Sequence, residues 1–228
     1  MTHRATASFG KLVLPPKPEH RVHYIDGSPP ARIVRATMLE FRVPFEAVLI
    51  RGFPPAGVER LNPAMQVPVL ETPVGPLFGS DVIRRYLHAE HGRQGAFSPV
   101  LTRAERHWHD LTVLSAADTL QEALGLHFHM KWAGCEQDGV GRLGVDIAER
   151  EMERAVSILD WLERQAEADD SFRPGTLSAP DFAVAASVLW TEAREPIPWA
   201  EGRPRLAAIA ARVAERESFR ETAPTPWT

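Results

Sequence analysis

The sequence lacks cysteine pairs, long apolar runs and a strong charge of either sign, and each absence excludes a class of protein. A single cysteine, Cys135, excludes an internal disulfide and a cysteine-rich metal site. No apolar run reaches the roughly 18–20 residues that a membrane-spanning helix needs, and the apolar patch at residues 11–15 is too short for a signal peptide. A net charge of −4 gives no reason to expect nucleic acid or an anionic membrane as a partner. These features favour a protein of the reducing cytoplasm.

Short strands and helices alternate along the first part of the chain. Residues 1–19 are rich in proline near their end and are expected to form an irregular extension. Residues 21–25 alternate charged and apolar side chains as a short strand does, a helix is expected from Pro30, and residues 45–50 predict a second strand. Two strands joined through a helix are expected to pair in parallel.

A hairpin followed at once by a helix is the most informative stretch of the sequence. The apolar runs at 67–70 and 76–78 flank a turn, and a helix is predicted over Ser80–His91. Because hairpin strands are antiparallel, the whole sheet is predicted to be mixed and four-stranded. A cis bond between Val67 and Pro68 would turn an edge backbone outward. The Ser80 hydroxyl and the first helical N–H groups predict an anion site, so the stretch is typical of a receptor for a small peptide carboxylate.

No strand is predicted after this hairpin, and the rest of the chain has the pattern of helices. Long helices are expected over about residues 103–130 and 145–168. Ser178 and Asp181 form a variant of the capping box at the start of another helix, and a last helix is expected over about residues 203–217. The second part of the chain is therefore predicted to be all-helical.

Four of these motifs, in this order, resemble those of the cytosolic glutathione S-transferases. Ser28-Pro-Pro-Ala-Arg32 resembles the serine-type active-site turn of that family. Asn62-Pro63 and then Gln66–Leu70 resemble its cis-proline segment. Gly79-Ser80-Asp81 resembles its site for the γ-glutamyl group, and Ser178–Asp181 resembles the capping box of its helical domain. The order of the motifs makes the resemblance specific, although each motif alone is weak.

The resemblance implies the fold and assembly of that family. The fold would be an α/β N-terminal thioredoxin-like domain with a four-stranded mixed sheet, joined to an all-α C-terminal helical domain. Residues 1–19 would be an extension, 20–93 the glutathione-binding domain and 102–228 the helical domain. The ending, residues 203–222, is similar to the YibF-like bacterial members. A homodimer is expected, with the sheet domain of each copy against the helical domain of the other.

The resemblance also assigns roles to individual residues. Ser28 would be the catalytic residue, donating a hydrogen bond to the glutathione thiolate beside a helix N-terminus. The backbone of Val67 would pair with the cysteinyl backbone of glutathione, and Ser80 would hold the γ-glutamyl carboxylate. Gly79 and Met65 depart from the family pattern, which has glutamate or glutamine at the first position and a small residue at the second. The complete set of glutathione-binding residues would be Gln66, Val67, Pro68, Gly79, Ser80 and Asp81.

Without the resemblance, the same residues have simpler explanations. A serine before proline is most often a turn or N-cap residue, which would be enough to account for Ser28. The Val67–Pro68 bond could be an ordinary trans bond, and Ser80 could be only a helix cap. Arg32 is expected on a solvated helix face.

The histidines and aromatic residues of the helical part are expected to be structural. His107 and His109, like His127 and His129, are two residues apart and point to different helix faces, whereas metal pairs are three or four apart. We therefore expect no metal. Four large side chains nearby are expected to lie mainly in the core rather than in a pocket for an acceptor: Trp108, Phe128, Met130 and Trp132.

The predicted function is that of a glutathione transferase-like enzyme of detoxification. Glutathione would be the co-substrate, and its thiolate would attack a small hydrophobic electrophile or a peroxide. Thiol–disulfide exchange is disfavoured because the turn at residues 26–31 has no cysteine. A glutathione-dependent isomerase and a non-catalytic binding protein of the same fold are the alternatives.

Overall fold

Four short strands form one mixed sheet in the computed structural model, which describes residues 18–51, 57–92, 102–132, 141–194 and 197–225. The strand order is β2-β1-β3-β4, with β1 parallel to β2 and antiparallel to β3, and with β3 and β4 forming a hairpin. This confirms the predicted four-stranded mixed sheet. The elements of this part are β1 (His20–Tyr24), α1 (Pro29–Glu40), β2 (Phe45–Leu49), β3 (Val69–Thr72), β4 (Gly75–Phe78) and α2 (Ser80–His91).

After α2, the described residues contain helices and no strand, as predicted. Most of the predicted extension and Cys135 lie outside the described residues, and the domain boundaries at residues 20–93 and 102–228 stay predictions. None of the described helices is both long and apolar enough to cross a membrane. The helices that follow a 3₁₀ turn at Ala104–Arg106 are α3 (His107–Trp132), α4 (Gly141–Gln165), α5 (Ala179–Arg194), α6 (Pro204–Ala214) and α7 (Glu217–Glu221).

The last predicted helix, at about residues 203–217, is present as α6, and a further short helix, α7, follows it. Helix α6 ends at Ala214, and Arg216 has an extended backbone (φ −70°, ψ 139°) before α7 begins. Glu40 of α1 stabilises this break between the two helices. Its Oε1 accepts hydrogen bonds from Arg216 Nε at 2.6 Å and from Ser218 Oγ at 2.5 Å. The break also lets Phe219 pack in the core. Sequence reasoning missed α7 because this contact joins residues far apart in sequence.

Helix α5 is the centre of the helical part. Every residue from Phe182 to Val188 is buried, which explains why this helix has an apolar sequence on all sides. It packs against α1, α3 and α6, and Phe182 meets Phe219 edge to face at 4.9 Å between ring centroids. One continuous hydrophobic core therefore includes both the sheet and the helices.

The carboxylate of Asp181 organises the start of α5. It accepts hydrogen bonds from the N–H of Phe172 at 3.0 Å, the N–H of Ser178 at 2.7 Å and the Ser178 hydroxyl at 2.5 Å. Burial raises the pKa of Asp181 to about 6, although these three donors act in the opposite direction. The predicted capping interaction between Ser178 and Asp181 is confirmed.

Replacing this carboxylate should destabilise the protein strongly. Asp181→Ala leaves two buried N–H groups without an acceptor, so we expect a loss of about 2–4 kcal/mol in the free energy of unfolding. Urea denaturation followed by circular dichroism measures it. Asp146→Ala, at an exposed position of α4, is the control and should change the free energy by less than about 0.5 kcal/mol. Equal losses in the two variants would contradict the proposed role of Asp181.

Candidate functional site

The register of β1 and β3 brings two distant stretches of sequence together. His23 lies opposite Val69, and the strands are antiparallel. The residues just before β3, Val67 and Pro68, therefore lie beyond the carboxyl end of β1. The chain leaves β1 at this same end and reaches Ser28 four residues later. The sheet thus places Ser28 and the Val67–Pro68 pair at one end.

The register of β3 and β4 adds the third stretch. Val69 lies opposite Phe78, again in antiparallel strands. The residues after β4, Gly79 and Ser80, therefore lie beside the pair that precedes Val69. The sheet topology thus brings three separately predicted motifs to one end of the sheet.

Ser28 is the N-cap residue of α1. Its Oγ accepts a hydrogen bond from the N–H of Ala31 at 3.4 Å, and its own N–H donates to the carbonyl of Ile25 at 3.2 Å. The first two helical positions are Pro29 and Pro30, which have no N–H. The Ser28 hydroxyl hydrogen is therefore the donor that this end of α1 can offer to a ligand. The cap role and a catalytic role are compatible, because the cap uses only an oxygen lone pair.

The Val67–Pro68 bond is cis, as predicted. Asn62 holds the segment before it: its Nδ2 donates to the carbonyl of Gln66 at 2.9 Å, and its Oδ1 accepts from the N–H of Ala64 at 2.9 Å. Within the described part of the chain, the backbone of Val67 has no hydrogen-bond partner. Met65 has a φ of 52°, a conformation that favours glycine, which accounts for the smaller residue in the family pattern.

At the start of α2, the cap residue is Gly79 and not Ser80. Gly79 has a φ of 82°, where a side chain is strained, and no side chain caps this helix. The helix begins at Ser80 as predicted, but the expectation that Ser80 caps it was wrong by one position, because the cap residue is Gly79. Ser80 is the first helical residue and is half-buried, and its hydroxyl has no partner among the described residues.

Asp81 and the arginines of α2 fix this helix in place. Asp81 Oδ2 accepts from Arg85 Nε at 2.8 Å, so its carboxylate is partly engaged within the helix. Arg84 is fully buried and forms a two-point pair with Asp118 of α3, at 2.8 and 2.5 Å. This pair ties the helix that carries Ser80 to the helical part. Sequence reasoning missed Arg84 and Asp118, because nothing local marks a pair that joins two helices.

A narrow cleft opens beside Ser28, between α1, α5 and the chain after α7. The indole of Trp190 on α5 lines it and lies 5.0 Å from the ring of Phe128. The expectation of a core position was wrong for Trp108 and Trp132, which are 78% and 64% exposed. The complete lining is Ile25, Gly27, Ser28, Pro29, Arg32, Arg35, Ala186, Trp190, Thr222 and Pro224.

Arg32 lies under α7 rather than on a solvated face. Its Nη2 donates to the carbonyl of Phe219 at 2.9 Å, and its guanidinium carbon lies 4.5 Å from the centre of the Phe219 ring. Burial, with the charge of Arg35 adding to it, lowers the pKa of Arg32 to about 10. The expectation of a solvated Arg32 was wrong because its covering residue lies 187 positions away in sequence.

The histidines of α3 have local partners. His107 Nδ1 lies 2.8 Å from Thr102 Oγ1, His109 contacts Arg106, and His127 Nδ1 lies 2.8 Å from the carbonyl of Ala148. In the part of the chain that the structure describes, no group of three or more histidine, cysteine, aspartate or glutamate residues is arranged to hold a metal ion.

Comparison with known proteins agrees with this architecture. Residues 22–95 match the family described as glutathione S-transferase, N-terminal domain. A glutathione S-transferase of Methylobacterium radiotolerans, solved in complex with glutathione sulfonate, is 24% identical with a TM-score of 0.78, over 92% of this chain and 96% of that chain. This chain has the glutathione S-transferase fold.

Two further solved structures support the same fold. A glutathione S-transferase of Methylobacillus flagellatus with glutathione bound is 24% identical, with a TM-score of 0.75 over 90% of this chain and 100% of that chain. A glutathione transferase family member of Pseudomonas fluorescens, also with bound glutathione, is 22% identical, with a TM-score of 0.74 over 90% and 99% of the two chains. No curated protein matches the chain in sequence.

Proposed function

We propose that the protein is a cytoplasmic, serine-type glutathione transferase of detoxification, similar to the YibF-like members. It would activate the glutathione thiol at Ser28 for attack on a small electrophile or a peroxide. The observation that carries this proposal is the convergence of Ser28, Val67 and Ser80 at one end of a sheet of glutathione S-transferase fold. Structures of the same fold solved with glutathione support the choice of ligand.

Glutathione would bind along the edge of β3 and the start of α2. The backbone of Val67, which has no partner among the described residues and lies next to Gln66 and Pro68, would add the cysteinyl residue as a short strand. The Ser80 hydroxyl and the N–H groups of the first turn of α2 would hold the γ-glutamyl carboxylate. Gly79 would contribute only its backbone, and Asp81, which is already engaged by an arginine, would face the γ-glutamyl ammonium.

Ser28 would lower the pKa of the bound thiol. A free thiol has a pKa of about 8.5, so it is mostly protonated at neutral pH. Lowering that pKa by about two units takes roughly 2.7 kcal/mol, which one charge-assisted hydrogen bond and the α1 dipole can supply together. Because Pro29 and Pro30 have no N–H, the hydroxyl is the principal donor in this proposal. The thiolate sulfur then forms a bond to the electrophilic atom, whose leaving group departs with its electron pair.

An isomerase and a binding protein of the same fold remain the alternative functions. An isomerase would use the same thiolate without net conjugation. Gly79 and Met65 depart from the family pattern, which suggested the alternative of a non-catalytic binding protein. Both residues have a positive φ. That conformation suits Gly79, whose backbone is still available to a ligand, but it does not explain a methionine at position 65. Turnover against a panel of electrophiles distinguishes the three functions.

Removing the Ser80 hydroxyl should weaken glutathione binding. Ser80→Ala loses a hydrogen bond to a charged carboxylate, so we expect the dissociation constant to rise by a factor that corresponds to roughly 1–3 kcal/mol. Isothermal titration calorimetry measures it. Ser157→Ala, an exposed serine of α4, should bind glutathione as the parent does. An unchanged constant in Ser80→Ala would remove Ser80 from the proposed site.

Removing the Ser28 hydroxyl should slow catalysis more than it weakens binding. For Ser28→Ala we expect conjugation at neutral pH to fall by about tenfold or more, which corresponds to at least 1.4 kcal/mol, with a higher pKa of bound glutathione. The loss should shrink as pH rises, because the thiol then ionises without help. A pH–rate profile beside the parent measures both effects, and Ser28→Thr, which keeps a hydroxyl, should recover part of the rate. Equal rates at neutral pH would leave Ser28 as a helix cap only.

We also propose that the protein forms a homodimer through the β4 side of the sheet. Phe78 on this edge strand and Val82 on the helix that follows are 40% and 49% exposed. Large apolar side chains at the edge of a sheet are usually covered by a partner. The helical part of a second copy is the partner that the family resemblance implies.

A charge at this edge should separate the copies. Phe78→Glu places a carboxylate in the proposed interface, so we expect the parent to sediment as a dimer at micromolar concentration and the variant as a monomer. Ala47→Glu puts the same charge at an exposed position of β2, the opposite edge of the sheet, and should remain dimeric. A monomeric parent, or a variant that still dimerises fully, would refute this interface.

A further inference from the structure

The cleft beside Ser28 has positive charge that the proposed glutathione site does not use. Arg32 and Arg35 both line it, one and two turns along α1 from Ser28. Among the described residues, neither arginine forms an ion pair with a carboxylate within 4 Å. The Nε atom of each is buried and has no hydrogen-bond partner in that part of the chain. Two guanidinium groups are therefore held close together without a bound counter-charge.

Aromatic rings hold these guanidinium groups in position without neutralising them. The guanidinium carbon of Arg32 lies over Phe219, and that of Arg35 lies 4.1 Å from the centre of the Tyr24 ring. Burial lowers the pKa of both arginines, and the charge of Arg35 contributes further to the lowering at Arg32. Both groups nevertheless stay charged at neutral pH, so the field in the cleft is positive.

The carboxylate of Asp26 does not balance this charge. Burial lowers the pKa values of Arg35 and Arg194, and the negative charge of Asp26 acts in the opposite direction on both. One oxygen of Asp26 is already occupied, since it accepts from the N–H of Thr225 at 2.9 Å. Arg194 itself packs so closely on Gly27 that a Cβ there would overlap its guanidinium. Asp26 is thus shared between Arg35 and Arg194 and is not a dedicated counter-charge for the arginines that line the cleft.

We propose that Arg32 and Arg35 bind an anionic group of the second substrate, so that the preferred electrophile carries a carboxylate. This inference rests on the proposed function and replaces the purely hydrophobic electrophile expected from the sequence. The four residues from Ser28 to Arg32 rise about 6 Å along α1. The reacting atom and the carboxylate should therefore be separated by about the width of one aromatic ring, with Trp190 as the apolar wall.

Chlorodinitrobenzoate, with chlorine para to its carboxylate, is a suitable electrophile, and chlorodinitrobenzene is its neutral counterpart. In both, the thiolate sulfur forms a bond to the ring carbon, the carbon–chlorine bond breaks, and chloride leaves with the electron pair. The thiol proton passes to solvent. Unreactive dinitrobenzoate and dinitrobenzene allow binding to be measured without turnover.

The first measurement is the ratio of the dissociation constants of dinitrobenzene and dinitrobenzoate, obtained by calorimetry. We expect the parent to prefer the benzoate by about tenfold or more, as charge-assisted hydrogen bonds imply. Arg32→Gln and Arg35→Gln should bring the ratio towards one, and Arg32→Lys should retain part of the preference. Arg150→Gln removes an exposed arginine of α4 and should keep the parent ratio. Circular dichroism establishes that each variant is folded, and a parent ratio near one would overturn the inference.

The second measurement asks whether these arginines instead hold a carboxylate of glutathione. Dinitrobenzoate is titrated with and without saturating glutathione, and glutathione is titrated into Arg35→Gln. We expect glutathione to leave benzoate binding intact and to bind the variant as it binds the parent. Competition between the two ligands, together with weakened glutathione binding in the variant, would assign the arginines to glutathione and overturn the inference.

Turnover separates failure of this inference from failure of the proposed function. We expect a lower KM for chlorodinitrobenzoate than for chlorodinitrobenzene, and we expect Arg35→Gln to remove that difference. If both electrophiles are conjugated with equal KM and equal binding, only the inference is wrong. If neither is conjugated and glutathione does not bind, the proposed function is wrong, and the second-substrate role of the arginines with it.

Discussion

The packing of α1 between the sheet and α5 is the contact on which both parts of the molecule depend. Ile33, Val34 and Met38 of α1 are fully buried, and the facing helix α5 is buried on all sides from Phe182 to Val188. Each fully buried aliphatic side chain contributes roughly 1.5–3 kcal/mol, so this contact is a substantial share of the stability. It also fixes the start of α1, and with it Ser28, relative to the cleft wall that α5 supplies through Trp190.

The candidate site arises from sheet register rather than from any single motif. Two antiparallel pairings, each specified by which residues must face the core, place three loops at one end of the sheet. A slip of one residue in β3 would turn Val69 and Leu70 over and would move Val67 away from Ser28. The pair of buried Arg84 and half-buried Asp118 adds the second constraint, because it sets the position of α2 against α3.

The sequence predicted what depends on local pattern. The strands and α2 were predicted to within about two residues, because alternation, glycine and proline mark them in a short window. The Asp181 cap was predicted because its partner Ser178 is three residues away. The sequence misplaced Arg32 and missed Trp190 and Asp118, because the residues around these side chains come from segments that are distant in the chain. The cap of α2 was misplaced by one residue because φ at Gly79 cannot be read from composition.

Helix α7, near the end of the chain, determines how Arg32 is covered in the cleft. If α6 continued without a break, Phe219 would not lie over Arg32, and that guanidinium would lie in solvent as the sequence suggested. The break depends on Glu40 at the end of α1, which holds Arg216 and Ser218. Helix α1 thus carries the hydroxyl, the two arginines and the carboxylate that anchors their cover. The charge of the cleft and the position of Ser28 are therefore coupled through one helix. A change that loosens α7 should alter the proposed electrophile site, whereas the strand edge proposed for glutathione should stay intact.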